Sequence, residues 1–228
     1  MTDELTALGP VTTTTRREVV LDALRRALLS GELKPGQRVK EGPLAEALGV
    51  SRPTVREAIY QLVHEGSLVQ VPYKGITVAR PSAQDLIEVA DIRVPLETMA
   101  AVHISRDPQG RGMERLKEAL QLHLKAIEAG DVVDSDLTHL ELHRSLWEGS
   151  GNQMLMRIWP LVESQIRMAI SLDQGIRHDP DRDRELHIRL VDVIERGDEN
   201  EIADEVRDHI ARSADEIVRL MEERDETA

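Results

Sequence analysis

Apolar positions along the first third of the chain recur at helical spacing in two short runs and then switch to alternation. Thr15 and Glu18 have the spacing of a capping box, which predicts a helix with Val20, Leu24 and Leu28 on one face and an end at Ser30-Gly31. GELKPG reads as a turn. Pro43 suits the first turn of a short helix that Gly49 closes in a left-handed cap, and Ser51 caps the next helix. That second helix carries Val55, Ile59, Leu62 and Val63 inward and ends at Gly66. SLVQV, a turn at PYKG, and ITVA then predict a two-stranded hairpin. Arg80-Pro81 is the joint. From Ser82, again in a capping box with Asp85, the pattern is helical: helices are predicted near 83–104, 113–129, 136–149, 153–172, 181–196 and 199–222. Pro95 and Pro160 fall inside helical runs and are expected to kink or split them. Residues 1–14 show no period and read as a flexible tail, which leaves two units, 15–80 and 81–228.

Composition narrows the class. There is no Phe and no Cys among the 228 residues, and only two Trp and two Tyr. The core is therefore built from Leu, Ile, Val, Ala and Met, and disulfides and thiolate metal ligands are excluded. No window approaches the roughly 20 apolar residues of a membrane span, so a soluble cytoplasmic protein is expected. The formal net charge is −13, but it is unevenly spread: residues 11–80 carry a net +4 and residues 81–228 a net −15. A basic unit joined to an acidic one points the first toward a polyanion.

The two short helices meeting across Gly49-Val50-Ser51 form a helix-turn-helix pattern, with Ala45 small at the crossing and Val55 packed inward. In that arrangement the second helix enters the major groove of double-stranded DNA with its N-terminal residues at the base edges. Here those residues are Ser51, Arg52, Pro53, Thr54 and Arg56. Arginine makes a bidentate bond to guanine, and hydroxyls and helix-terminal amides suit phosphate. The following hairpin is a wing with Tyr73, Lys74 and Gly75 at its tip. The expected fold is thus mainly α: an N-terminal winged helix-turn-helix with a small β-hairpin, and a C-terminal all-helical bundle.

Four histidines in the acidic unit share a pattern. His139 and His143, in HLELH, lie on one helical face with Leu146 and Trp147. His187 sits between Leu186 and Leu190, and His209 follows Ile202 and Val206 at helical spacing. Three helices thus aim imidazoles at one interior. Buried imidazoles without partners are costly, and one borderline-soft divalent ion satisfies several at once. His64, His103, His123 and His178 lack this pattern and read as surface or packing residues, with His123 within reach of the cavity.

Residues 15–80 resemble the winged-helix domain of the GntR family of bacterial transcription regulators. The resemblance rests on LKPGQRV, LAEALGVSRPTVREA, LVHEG and YKGITV. It implies DNA contacts from Ser51, Arg52, Thr54, Arg56, Lys74 and Gly75. Some members carry an arginine in the first motif helix that touches phosphate; this chain has Gly42 there. Residues 82–222 resemble the helical effector domain, called FCD, of the FadR-type branch, through DIRVPLETMAA, HRSLWEGSGN, ELHIRLVDVIERGD and RDHI. Many such domains hold one divalent metal through an Asp and three His. His143, His187 and His209 match the three His, and His139 stands at the Asp position. The substitution favours Zn²⁺ or Ni²⁺ over Mn²⁺ or Mg²⁺. The resemblance also implies a small carboxylate bound beside the metal, with Arg93 helping to hold the acid; a salt bridge from Arg93 to Asp91 or Glu97 is the competing role.

The expected function is a transcription regulator, in the usual case a repressor. It would bind a near-palindromic operator as a homodimer, with affinity set by a small carboxylate metabolite. A second reading makes the metal itself the signal. A third, a helical-bundle metalloenzyme, lacks a carboxylate placed in a recognisable motif as general base.

Overall fold

The computed structural model describes residues 15–176 and 179–226. The predicted tail at 1–14 and His178 lie outside the described residues. Helix α1 (Arg16–Leu29) starts as its sequence dictates: the Thr15 hydroxyl accepts from Glu18 N–H and the Glu18 carboxylate accepts from Thr15 N–H. Strand β1 (Arg38–Val39) follows, then α2 (Glu41–Ala47) and α3 (Arg52–His64). Gly49, between α2 and α3, has φ 63°, the left-handed conformation that the tight turn requires. Strands β2 (Leu68–Val71) and β3 (Gly75–Val78) form the wing hairpin.

The sheet corrects the sequence reading. It has three strands, in the order β1-β3-β2, all antiparallel, with Arg38 opposite Thr77 and Leu68 opposite Val78. A two-residue strand carries too little periodicity to be read from sequence, and the charged GQRVK stretch hid it. Val39 and Val78 bury their side chains against Val20, Leu24, Val55, Ile59 and Leu62, which closes a small core of its own.

The second unit is a bundle of α4 (Ala83–Ser105), α5 (Arg111–Ala129), α6 (Val132–Gly149), α7 (Gln153–Ile176), α8 (Pro180–Arg196), α9 (Glu199–Arg207) and α10 (Ser213–Glu226). Helices α4 and α7 run through Pro95 and Pro160 rather than splitting there. The start of α5 meets the end of α6 closely: a Cβ on Gly112 would lie 2.6 Å from the Gly149 carbonyl oxygen. Trp147 and Trp159 stack edge to face at 5.4 Å in the centre. The last predicted helix is divided. Between α9 and α10 the chain widens into a π turn, Asp208–Arg212, which holds His209. Such turns concentrate at functional sites because they re-aim side chains.

The units are joined by more than a linker. Leu29, the last residue of α1, is buried in the core of the bundle. Ser164 of α7 donates its hydroxyl to the carbonyl of Glu65, the C-cap of α3.

Candidate DNA-reading face and metal-binding cavity

The N-terminus of α3 is exposed and built for polar contacts. Ser51 caps it, accepting from Thr54 N–H at 3.4 Å, and the Ser51 and Thr54 hydroxyls lie 2.8 Å apart. Pro53 occupies the first turn, where its missing N–H costs nothing. Arg52 lies over α2 at Gly42, where an added Cβ would stand 3.6 Å from its guanidinium. That is ordinary van der Waals contact, so Arg52 packs over position 42 without requiring a glycine there. Arg56 is not a free cation. It donates from Nε and a terminal nitrogen to the two carboxylate oxygens of Glu41 on α2, at 2.8 and 2.7 Å. These hydrogen bonds lower the Glu41 pKa and raise that of Arg56. At the wing tip, Tyr73 is fully exposed with φ 63°, Lys74 N–H closes the turn onto Val71, and Gly75 has φ 84°. Strand β1 brings Arg38 beside Gly75, about 3.5 Å from where its Cβ would be. Glu41 and Arg38 were not singled out from sequence, because each owes its place to a partner distant along the chain.

The second site is a cavity of about 170 Å³ inside the bundle. Its polar lining includes Arg93, His139, His143, Arg182, Asp183 and His187, with His209 from the π turn. Apolar walls come from Leu86, Ile166 and Ile170. The four histidines singled out from sequence all reach it, but they do not converge on one point. His143, His187 and His209 present ring nitrogens within 4.8 Å of one another. His139 instead groups with His123, Asp183 and His187. His123 is completely buried on α5 and joins this group without lining the cavity itself. Its signal was present in the sequence: Leu116, Ala119 and Leu120 precede it at helical spacing on the buried face. Asp183 stands one turn before His187, a second legible spacing.

Hydrogen bonds orient the rings. His143 Nδ1 lies 2.9 Å from Glu97, which also accepts from Arg93 Nε at 2.7 Å. Arg93 thus takes the salt bridge to Glu97 while still lining the cavity. His187 Nδ1 lies 2.8 Å from the Asp183 carbonyl, which as an acceptor fixes the proton on Nδ1 and leaves Nε2 free to ligate. Buried His187 Nε2 and His209 Nδ1 find no hydrogen-bond partner among the described residues. Burial pushes the pKa of His143 down to about 4 against the pull of Glu97, and pushes His139 and His209 well below the ordinary range. Burial works to raise Glu97, but Arg93 and His143 overcome it and hold the carboxyl at about 2. Burial likewise opposes ionisation of Asp183, but the fields of His139 and His187 hold it well below the carboxylate range. Neutral imidazoles backed by acceptors, with orphaned nitrogens aimed inward, are the chemistry that a divalent metal takes. The donor set fits the ion that the fold implies.

Comparison with known proteins assigns each unit to a domain family. Residues 16–78 match the family described as bacterial regulatory proteins, gntR family, and residues 88–212 match the FCD domain. An uncharacterized HTH-type transcriptional regulator, YdhC, from Bacillus subtilis (strain 168) is 26% identical over 202 residues, 88% of this chain and 90% of that protein. A probable D-xylose utilization operon transcriptional repressor from Paenarthrobacter nicotinovorans is 26% identical over 201 residues, 88% of each. Among solved structures, a GntR regulator from Rhodococcus sp. RHA1 superposes with TM-score 0.77 at 23% identity, covering 90% of this chain and 98% of that one. Escherichia coli McbR/YncC does so with TM-score 0.75 at 22% identity, covering 91% and 99%. These two likenesses establish the fold. Among the described residues no helix is long and apolar enough to cross a membrane. With a winged helix-turn-helix at one end and an FCD bundle at the other, the chain belongs to the GntR family and is a DNA-binding transcription regulator, not an enzyme.

Proposed function

We propose that this regulator is a repressor whose operator affinity is set by a small carboxylate bound beside a divalent metal, Zn²⁺ or Ni²⁺, in the bundle cavity. The observation that carries it is the set of His143, His187 and His209, with two ring nitrogens buried and unpartnered on a cavity that Arg93 and Arg182 also line. The ion supplies an anchor for one carboxylate oxygen, and the arginines supply forked donors for the rest. Repression accords with the Paenarthrobacter relative, a probable transcriptional repressor.

Ser51, Arg52, Thr54, Arg56, Lys74 and Gly75 contact the operator. The protein works in the cytoplasm as a homodimer on a near-palindromic site, since two-fold protein symmetry calls for symmetric half-sites. Coupling of about 1–3 kcal/mol between cavity and DNA face would change operator affinity roughly 5- to 150-fold. The gathering of five imidazoles in two adjoining groups also supports the reading in which the ion itself is the signal.

One titration separates the two. Operator affinity is measured by fluorescence anisotropy in chelated and Zn²⁺-loaded protein, with and without a carboxylate library. A change that needs a carboxylate supports the first reading, and a change from Zn²⁺ alone supports the second. Elemental analysis that finds no divalent ion after reconstitution would sink both.

A further inference from the structure

The histidine cluster has more ligands than one ion takes. A structural or catalytic Zn²⁺ is held by three or four donors. The cluster comprises His123, His139, His143, His187, His209 and the Asp183 carboxylate, and they fall into two groups that meet at His187. His187 Nδ1 is turned to the Asp183 carbonyl at 2.8 Å, so this ring has one nitrogen left and serves one ion. With His143 and His209 it completes a three-His set. That leaves His123, His139 and Asp183 unassigned.

The two contacts to Asp183 are near the spacing of ligands, and one donor atom from each residue lies within 4.8 Å of the others. Donors at roughly 2.05 Å from a tetrahedral ion stand about 3.3 Å from one another. Asp183 Oδ2 lies 3.2 Å from His123 Nε2, and Asp183 Oδ1 lies 3.6 Å from His139 Nδ1. Neither contact is a hydrogen bond. The first is short enough but lacks the alignment, so His123 Nε2, completely buried, is left without a hydrogen-bond partner among the described residues. The second is too long. The other nitrogen of His123 is turned to the Thr138 hydroxyl at 3.2 Å, an outer contact that holds the ring in place. Three elements contribute: α5 gives His123, α6 gives His139 and α8 gives Asp183. Asp183 and His139 retain side-chain exposure of 23% and 20%, so the group opens toward the cavity.

We propose that His123, His139 and Asp183 form a second divalent-cation site, two imidazoles and a carboxylate, beside the His143–His187–His209 site. It rests on the reading of the first group as a metal site. Asp183 takes part in both: its carbonyl orients His187 for the first ion and its carboxylate ligates the second. Two imidazoles with one carboxylate and an open position suit a borderline divalent ion such as Zn²⁺.

The test is the stoichiometry of Zn²⁺ alone. Chelated protein is titrated with Zn²⁺, freed of excess by gel filtration, and its metal is measured by mass spectrometry. About two ions per chain are expected for the parent protein. His123→Gln and Asp183→Asn should each retain about one, and so should the double variant His143→Gln/His209→Gln. Circular dichroism checks that the variants fold. Because a variant may fail that check, anomalous scattering at the zinc edge from parent crystals provides an independent count, with two separate peaks expected in the cavity. One ion in the parent, kept by His123→Gln or lost in both single variants and the double variant, overturns the second site. No ion at all in the parent overturns the first reading as well, so the two failures are distinguishable.

Discussion

Glu97→Gln tests whether the cavity is organised from behind its ligands. The carboxylate is almost fully buried and accepts from Arg93 Nε at 2.7 Å, with His143 Nδ1 at 2.9 Å. An amide of the same shape keeps one acceptor but loses the charge. Two consequences follow. His143 loses the carboxylate that fixes its tautomer and raises its basicity, a change that weakens metal binding about 10- to 100-fold. Arg93, only 11% exposed, loses its buried counter-ion. Breaking a buried pair costs about 3–5 kcal/mol; the retained acceptor and the residual exposure of Arg93 bring the expected loss to about 2–3 kcal/mol. Zn²⁺ affinity is read by competition with a chromophoric chelator, and the stability of the chelated protein by urea unfolding. Glu97→Asp, which keeps the charge, should recover most of the stability. A Glu97→Gln protein with parental Zn²⁺ affinity and parental stability would refute the view that Glu97 orients His143.

Arg52→Ala should cost about 1–3 kcal/mol at a single operator base pair, whereas Lys74→Ala should weaken all DNA evenly and reduce the salt slope by about one; gel-shift titrations against operator variants and salt separate them. Glu41→Gln should release Arg56 and remove an acidic group from the DNA face, raising affinity for non-operator DNA and lowering the ratio of operator to non-operator binding. Stability of the chelated protein should fall with pH in a defined window. The His143 pKa is depressed from 6.5 to about 4, so its contribution is complete above pH 6.5 and lost as pH falls toward 4, about 3 kcal/mol in all. The Glu97 pKa is depressed from 4.5 to about 2, so its contribution begins to fail only below 4.5; urea midpoints that stay flat between pH 6.5 and 4.5 would contradict the burial of neutral imidazole. Ser164→Ala should leave DNA binding without effector close to parental while reducing the change in operator affinity that effector produces, measured by anisotropy.

The winged helix-turn-helix and the helical bundle could be read from the sequence because local rules carry them. Capping boxes at Thr15 and Ser82, the turn at Gly49 and the apolar stripes of α3 and α8 each act within a few residues. What could not be read depends on partners distant along the chain. Arg56 finds Glu41 fifteen positions away, and His143 finds Glu97 forty-six away. Strand β1 exists only because β3 is there to pair with it. The division of the histidines is of the same kind. Periodicity shows that His139 and His143 share a face, but the tertiary positions of α5 and α8 decide which neighbour each one meets. The π turn at His209 is likewise invisible to a 3.6-residue period, which it interrupts only locally.

The cavity and the DNA face are connected through α7. Ile166 and Ile170 of this helix line the cavity, and Ser164, half a turn before Ile166, donates to the carbonyl of Glu65 at the end of α3. Glu65 is itself buried and held by Arg25 of α1 at 2.8 Å and Gln61 of α3 at 3.0 Å. Arg167, next to Ile166, is buried nearby, and burial lowers its pKa against the opposing pull of Glu163, to which it donates. A close-packed helix cannot shift at one face without moving the other. Occupancy that displaces Ile166 therefore moves Ser164 with it, and the recognition helix is held at its C-terminus by the bond that Ser164 makes. Position alone does not establish coupling between two sites; an element whose equilibrium both sites bias does. We infer that this element is α7, through the bond from Ser164 to Glu65, and the Ser164→Ala measurement tests it. The winged helix retains its own core when that bond is loosened, so the expected consequence of effector binding is a change in the orientation of an intact DNA-reading unit, not its unfolding.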